Sequence, residues 1–348
     1  MSEEQLYLVF DSKLDMQSTK SATDTQISSG NNTESDLKAE FSIMDIPFIG
    51  CDFDIIYPSI LSIAPQESVT FSDLGMDCAI MCEVICSSIC HQINWDFLRS
   101  AVLEFTKKHP QWLSPANLSL IRADDIYILL GSYHKANCIK AEERASILRE
   151  VGKWASDYRR IQEVFLDGDN ALKPDRFILG GLLKCSAFSS DPEGKKMNLL
   201  LQKLDSIPIL QGIGKYAKPA IDYHLLRLYL RRGLLIARTK NALGFVNSPS
   251  IQRKEATVAA LRGHCSKLLS QISNYSGLSI SSVNLVEWHV ARSVCGRDHP
   301  DCELAGNSSQ WLRAKFKECP FASTCLARKF SIKMLLNIIE PSYKGTSY

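Results

Sequence analysis

Residues 77–101 read Asp-Cys-Ala-Ile-Met-Cys-Glu-Val-Ile-Cys-Ser-Ser-Ile-Cys-His-Gln-Ile-Asn-Trp-Asp-Phe-Leu-Arg-Ser-Ala. Met81, Val84, Ile85, Ile89, Ile93, Phe97 and Ala101 recur at steps of three and four, the spacing of a buried helical stripe. The same period predicts helices over Leu118–Leu130, Lys140–Phe165, Arg176–Ala187, Gly194–Leu204, Tyr223–Ile236, Ile251–Tyr275 and Ser281–Cys295. Asp191-Pro192 places a capping residue and an early proline ahead of one of them. Ser281 is the expected cap of Val283–Val294. Few stretches alternate with the two-residue period of strands, and no internal repeat is present. The predicted class is all-α.

Composition sets looser bounds. With 348 residues, 45% of them hydrophobic, the chain can bury one large core or two modest ones. Residues 11–40 are polar and lack aromatics, so they are expected to be a disordered tail, counted here as 1–40. No run approaches the ~18 apolar residues of a membrane span. Met1–Phe10 has two glutamates and no basic start, unlike a secretory signal. Twelve cysteines without such a signal suit reduced thiols or metal ligation in a cytosolic or nuclear protein.

Charge is nearly balanced overall, at +2, but not locally. From Lys195 to Arg232 eight basic residues face two acids, a surplus of six. Such a stripe is commonly a solvated face, and it is also what a phosphate-binding surface requires.

Two sets of cysteines differ in kind. Cys78, Cys82, Cys86 and Cys90 step by four, spreading over about 18 Å of helix, too far for ligands of one centre. They read as small packing residues. Cys295, Cys302, Cys319 and Cys325 are separated by six, sixteen and five residues, with prolines at 300 and 320. Four thiolates converging from loops suit zinc or a [4Fe–4S] cluster.

Asp222 lies in Ala-Ile-Asp-Tyr-His, where a helix is expected to begin. An aspartate there is ordinarily an N-cap. A carboxylate beside a sugar can also stabilise an oxocarbenium-like transition state or activate water. His224, Arg227 and Arg231 follow on one helical face, where Arg227 either holds Asp222 ionised, binds phosphate or forms a structural pair.

Together these segments resemble the helix-hairpin-helix DNA glycosylase superfamily, in its endonuclease III-like branch with a C-terminal iron–sulfur cluster. Ile221-Asp222-Tyr223-His224, then Arg227 and Arg231-Arg232-Gly233, are similar to the family's segment around its catalytic Asp. Glu287-Trp288, Arg292, Cys295, Pro300 and Cys302 resemble the helix that enters the cluster loop, and Cys319-Pro320 and Cys325 the last two ligands. Gln92, in Ile89–Trp95, resembles a glutamine that reaches into DNA at the extruded base, and Lys140–Trp154 the helix ahead of the hairpin.

Two segments depart from the pattern. The family places two residues between its middle cysteines, against sixteen here, a length that loop-closure entropy tolerates. Gly212-Ile213-Gly214 looks like the hairpin's Gly-hydrophobic-Gly but lies too close to Asp222, so Asp191–Lys196 takes the hairpin's place, without its first glycine and with an added acid. In that register Lys196 is similar to the sugar-attacking lysine of bifunctional members, with Lys195 a neighbouring candidate.

The resemblance implies a two-lobed helical glycosylase-like fold with a metal-cluster loop at the C-terminus. Residues 41–77 would pack on the C-terminal lobe, 78–222 form a lobe with the hairpin-like element, and 223–348 form the C-terminal lobe with the cysteine loop at 295–325. Implied catalytic residues are Asp222 and Lys196. Implied substrate contacts are Gln92, Lys195, His224, Arg227 and Arg231, and implied ligands of a [4Fe–4S] cluster, or of zinc, are Cys295, Cys302, Cys319 and Cys325. Lys315, Lys317 or Arg328 would meet phosphate. The expected activity is hydrolysis of a base–sugar bond in base excision repair, by a monomer acting on double-stranded DNA. The alternatives are a hydrolase of a free modified nucleoside and a non-catalytic nucleic-acid-binding module.

Overall fold

The computed structural model describes residues 41–43, 53–65, 69–191, 193–237, 255–297 and 299–329. The expected tail at 1–40 and the start of the helix predicted from Ile251 lie outside them. Ten main helices are described: α1 (Phe53–Leu61), α2 (Met76–Ile89), α3 (Trp95–Lys108), α4 (Ala123–Leu130), α5 (Ala141–Ala155), α6 (Asp175–Leu182), α7 (Lys195–Leu204), α8 (Tyr223–Arg232), α9 (Glu255–Ser276) and α10 (Ile280–Ser293). Strand structure among the described residues is one antiparallel pair, β1 (Phe41–Ile43) against β2 (Leu235–Ala237). The chain is mostly helical, in keeping with an all-α class. Among the described residues no helix is long and apolar enough to cross a membrane.

Helix α2 is buried on every side from Ala79 to Ile89, which explains its unbroken run of apolar and small residues. Cys82 and Cys86 are fully buried there, Cys78 and Cys90 half-buried. Burial pushes the Cys82 thiol up to about 12, and its sulfur lies 3.7 Å from Thr106 Oγ1. These cysteines fill space.

The predicted stripe does not continue through residue 101 as one helix. Asn94 caps α3 by accepting the Phe97 N–H at 3.0 Å, and Gln92 turns the chain with a left-handed φ of 57°. A non-glycine residue pays strain for that geometry. Other boundaries shift for similar local reasons. Ser279, not Ser281, caps α10, accepting from Ser282 N–H at 3.1 Å. The helix predicted from Lys140 ends at Ala155 and gives way to a short turn at Ile161–Val164. Helix α8 stops at Arg232 because Gly233 (φ 74°) reverses the chain, and a Cβ there would lie 2.3 Å from Leu326 Cδ1.

Apolar side chains gather in two clusters. The first runs from Val69 to Ala217 and centres on α2. The second joins Tyr57 and Ile60 of α1 to Ile221–Leu235, α9, α10 and the cysteine loop. One asparagine from each side holds the peptide between them: Lys218 N–H donates to Asn198 Oδ1 (2.9 Å) and Ala220 N–H to Asn284 Oδ1 (2.7 Å). Asp222 follows directly, at the junction.

Candidate active site

Asp222 is the N-cap of α8, and its Oδ1 accepts the Leu225 N–H at 3.1 Å. Its other oxygen does more than cap. Oδ2 accepts the indole N–H of Trp288, on α10, at 3.0 Å. The residue is 9% exposed. Burial by itself would push the carboxyl up. His224, Lys195, the Leu225 amide and the Trp288 indole outweigh it. The pKa is therefore held below the ordinary aspartate value.

A run of aromatic rings passes beside this carboxylate through Trp288. His224 lies against Tyr223 (centroids 4.2 Å apart) and edge-on to Trp288 (6.5 Å), and Trp288 continues through His289 (5.2 Å) to Trp311 (5.8 Å from His289). The Arg292 guanidinium covers the Trp288 ring at 4.9 Å, and its Nη2 reaches Asp96 Oδ2 at 2.9 Å. Neither Trp288 nor Arg292 carries an assigned role in the sequence reading. Their spacing of four on α10 is a signal that they share a face, but the link to Asp222 spans 66 positions.

The two lysines part company, since adjacent helical residues point about 100° apart. Lys196 is 2% exposed, and its Nζ donates to Ser88 O at 2.7 Å. Burial lowers its pKa. Its place is at the C-terminal end of α2, which argues against a nucleophile facing Asp222. Lys195 is half-buried, and its charge acts on Asp222. Gln92 is exposed at the α2–α3 turn.

Arg227 and Arg231 were expected to contact substrate, but both are 1% exposed and committed to backbone carbonyls. Arg227 Nε donates to Cys295 O (2.6 Å), and its Nη2 donates to His224 Nδ1 (2.8 Å) while that ring is neutral. Arg231 donates to Gly296 O and Arg297 O, each at 2.6 Å, and stands 3.5 Å from Cys295 Sγ. They anchor the cysteine loop to α8. Lys315 donates to Ser62 Oγ, Arg328 pairs with Glu303, and Lys317 is exposed.

The cysteine loop folds back on itself. Cys319 N–H donates to Cys302 O at 2.8 Å, and Cys325 Sγ lies 3.6 Å from Arg231 O. Burial raises the Cys302 thiol to about 11, with Cys325 and Cys295 adding to the rise. Cys319 is raised by burial and then by the other three. The charges of these thiols act on one another, a repulsion that a cationic centre would relieve. The long span between Cys302 and Cys319 begins with a turn held by Asp301, which accepts from Ala305 N–H (2.7 Å) and Gly306 N–H (2.9 Å). Trp311 docks it on α10 through Ser293 Oγ at 3.2 Å. Among the described residues no three His, Cys, Asp or Glu side chains are arranged to hold a single metal ion. A [4Fe–4S] cluster is broader and takes one thiolate at each of four irons.

Two cavities of about 440 and 410 Å³ lie elsewhere, one at the start of α2 beside Arg160, the other between α5 and α7. Neither includes Asp222. No protein-family model matches the chain, and no curated protein matches it in sequence.

Proposed function

We propose that the protein is an N-glycosylase of the helix-hairpin-helix type, hydrolysing the base–sugar bond of a damaged or modified nucleotide in DNA, with Asp222 as its catalytic carboxylate. One observation carries the reading: a buried carboxylate whose pKa His224 and Lys195 help to lower, oriented by Leu225 N–H and Trp288 Nε1 beside the Trp288 and His224 rings. Such rings suit an unstacked base. As the N-glycosidic bond breaks, its electron pair leaves on the base and positive charge builds on the sugar. Asp222 stabilises that charge, and water adding at C1′ loses its proton to the carboxylate. Lys195, whose charge acts on Asp222, is a better candidate than the buried Lys196 for the sugar-attacking lysine of the resemblance. Cys295, Cys302, Cys319 and Cys325 would hold a [4Fe–4S] cluster, which when bound would clamp the C-terminal loop and make it redox-sensitive.

The test is Asp222→Asn. Turnover of duplexes carrying damaged bases should vanish while the fold and any cluster absorbance persist. Retained turnover would remove Asp222 from catalysis.

A second reading, hydrolysis of a free modified nucleoside, draws on the hairpin. Asp191 Oδ2 accepts the Lys196 N–H at 2.7 Å, so a carboxylate occupies an amide that would otherwise meet a phosphate. Duplex affinity measured at two salt concentrations separates the readings, because phosphate contacts make binding strongly salt-dependent.

A further inference from the structure

We propose that Arg292 is a phosphate-binding residue held in reserve by Asp96, and that a nucleic-acid phosphate replacing Asp96 on Arg292 uncovers the face of Trp288, the residue that holds Asp222. The proposal rests on the base-removal reading in taking a nucleic-acid strand as the ligand.

The Arg292–Asp96 pair joins α10, of the second apolar cluster, to α3, of the first, at 2.9 Å. It therefore bridges the two clusters, on the residue that also covers Trp288. Its side chains are 31% and 51% exposed, unlike the buried pairs Arg99–Glu83 (3% and 4%) and Arg232–Glu287 (2% and 0%). Those two are fixed structure. An exposed pair is weak and exchanges readily. A phosphate offers a guanidinium two parallel charge-assisted bonds and is the stronger partner.

What Arg292 covers gives the exchange its consequence. Its guanidinium lies on the face of Trp288, and Trp288 Nε1 holds Asp222 Oδ2. Withdrawing Arg292 towards a phosphate would free that face for a base to stack on, beside the ionised carboxylate. Asp96 also sits four residues beyond Gln92, the exposed corner with φ 57°. A strand contacting that corner would bring its phosphodiesters to Arg292.

The experiment is a double-mutant cycle on the full-length protein: wild type, Asp96→Asn, Arg292→Gln and the double variant. Binding to a duplex with an uncleavable tetrahydrofuran abasic mimic is read by fluorescence anisotropy at two salt concentrations. Asp96→Asn should tighten binding by about 3-fold or more, since the competitor for Arg292 is gone. Arg292→Gln should weaken it by about 10-fold and lower the salt slope by about 1. The double variant should behave like Arg292→Gln alone. If Asp96→Asn tightens binding equally in both backgrounds, Asp96 is merely a like charge near the strand and the latch is overturned. A neutral Arg292→Gln, or four proteins that all fail to bind the duplex, also overturns it. Failure of the base-removal reading looks different: wild type would match Asp222→Asn on damaged duplexes, while the binding cycle would remain readable. Because the pair is exposed, all four proteins should share a thermal midpoint, which confirms that each is folded.

Discussion

Asp222 gains its character from neighbours far away in sequence. The cap to Leu225 N–H is local, but the Trp288 indole arrives from α10 and Lys195 from α7. Trp288→Phe keeps the ring and removes the N–H. A hydrogen bond to a charged group is worth roughly 1.5–3 kcal/mol, so turnover should fall by about 10-fold or more. The acidic limb of the pH–rate profile should also move up, because a contact that lowers the carboxyl pKa has been lost. In wild type Asp222 stays ionised through the neutral range, and protonation should stop turnover only below the ordinary aspartate value. The adjacent lysines separate in a different assay. Lys196→Ala strips a buried carbonyl, Ser88 O, of its donor and should cost about 2–4 kcal/mol in a denaturant titration. Lys195→Ala should leave stability nearly unchanged and reduce turnover. Equal losses of stability in both would contradict this division.

At the scale of elements, the α2–α3 turn is held from behind. Arg144 of α5, fully buried, donates to Ile89 O (3.2 Å), Cys138 O (2.8 Å), Ile139 O and His91 O. With Lys196 on Ser88 O, two cations meet the carbonyl end of α2, where the helix dipole favours them. That frame fixes the corner bearing Gln92. His91 lies inside it, 2% exposed, 3.1 Å from Glu143 and among Arg144, Lys196, Lys140 and Lys195. Burial, then those cations, hold its pKa far below the ordinary histidine value, at about 2. The unfolded chain therefore binds a proton at His91 below about pH 6.5 that the folded chain refuses, so stability falls as pH drops through that range. The slope is about 1.4 kcal/mol per pH unit for one proton. His91→Asn should remove it from a pH series of urea midpoints; an unchanged slope would mean that His91 is protonated in the fold. The turn itself was hidden in the sequence, because apolar residues keep helical spacing straight through it. Asn94 is the one legible marker.

Across the whole molecule, the Lys218–Ala220 peptide and the Arg292–Asp96 pair link the two apolar clusters, and the cysteine loop is tied into the second by α8. Arg232 pairs with Glu287 at 3.0 Å, Tyr57 of α1 donates to the same carboxylate, and Phe321 of the loop lies under the guanidinium at 3.9 Å. Three helices and the loop thus share one buried charge pair, so the loop's order and the second core's stability are coupled. Anaerobically prepared protein should show the broad visible absorbance of a cluster, with about four irons per chain. Its removal by chelation should lower the thermal midpoint by about 5 °C or more. A colourless preparation holding one zinc would replace the cluster with a single ion.

Helical class, the packing role of the α2 cysteines and the cap at Asp222 were all legible in the chain, since each depends on periodicity, side-chain size or spacing along a few turns. The roles of individual cations were not. Lys195, Lys196, Arg227, Arg231 and Arg292 look alike in a string of letters. Burial and the nearest oxygen then divide Lys196, Arg227, Arg231 and Arg292 into helix cap, loop anchors and a half-exposed pair between helices. Those oxygens lie as far as 196 positions away, for Arg292 and Asp96, and come within reach when the two clusters pack. A long cation has little intrinsic preference among carbonyl, carboxylate and phosphate, so its partner is set by what the surrounding helices leave within hydrogen-bond reach.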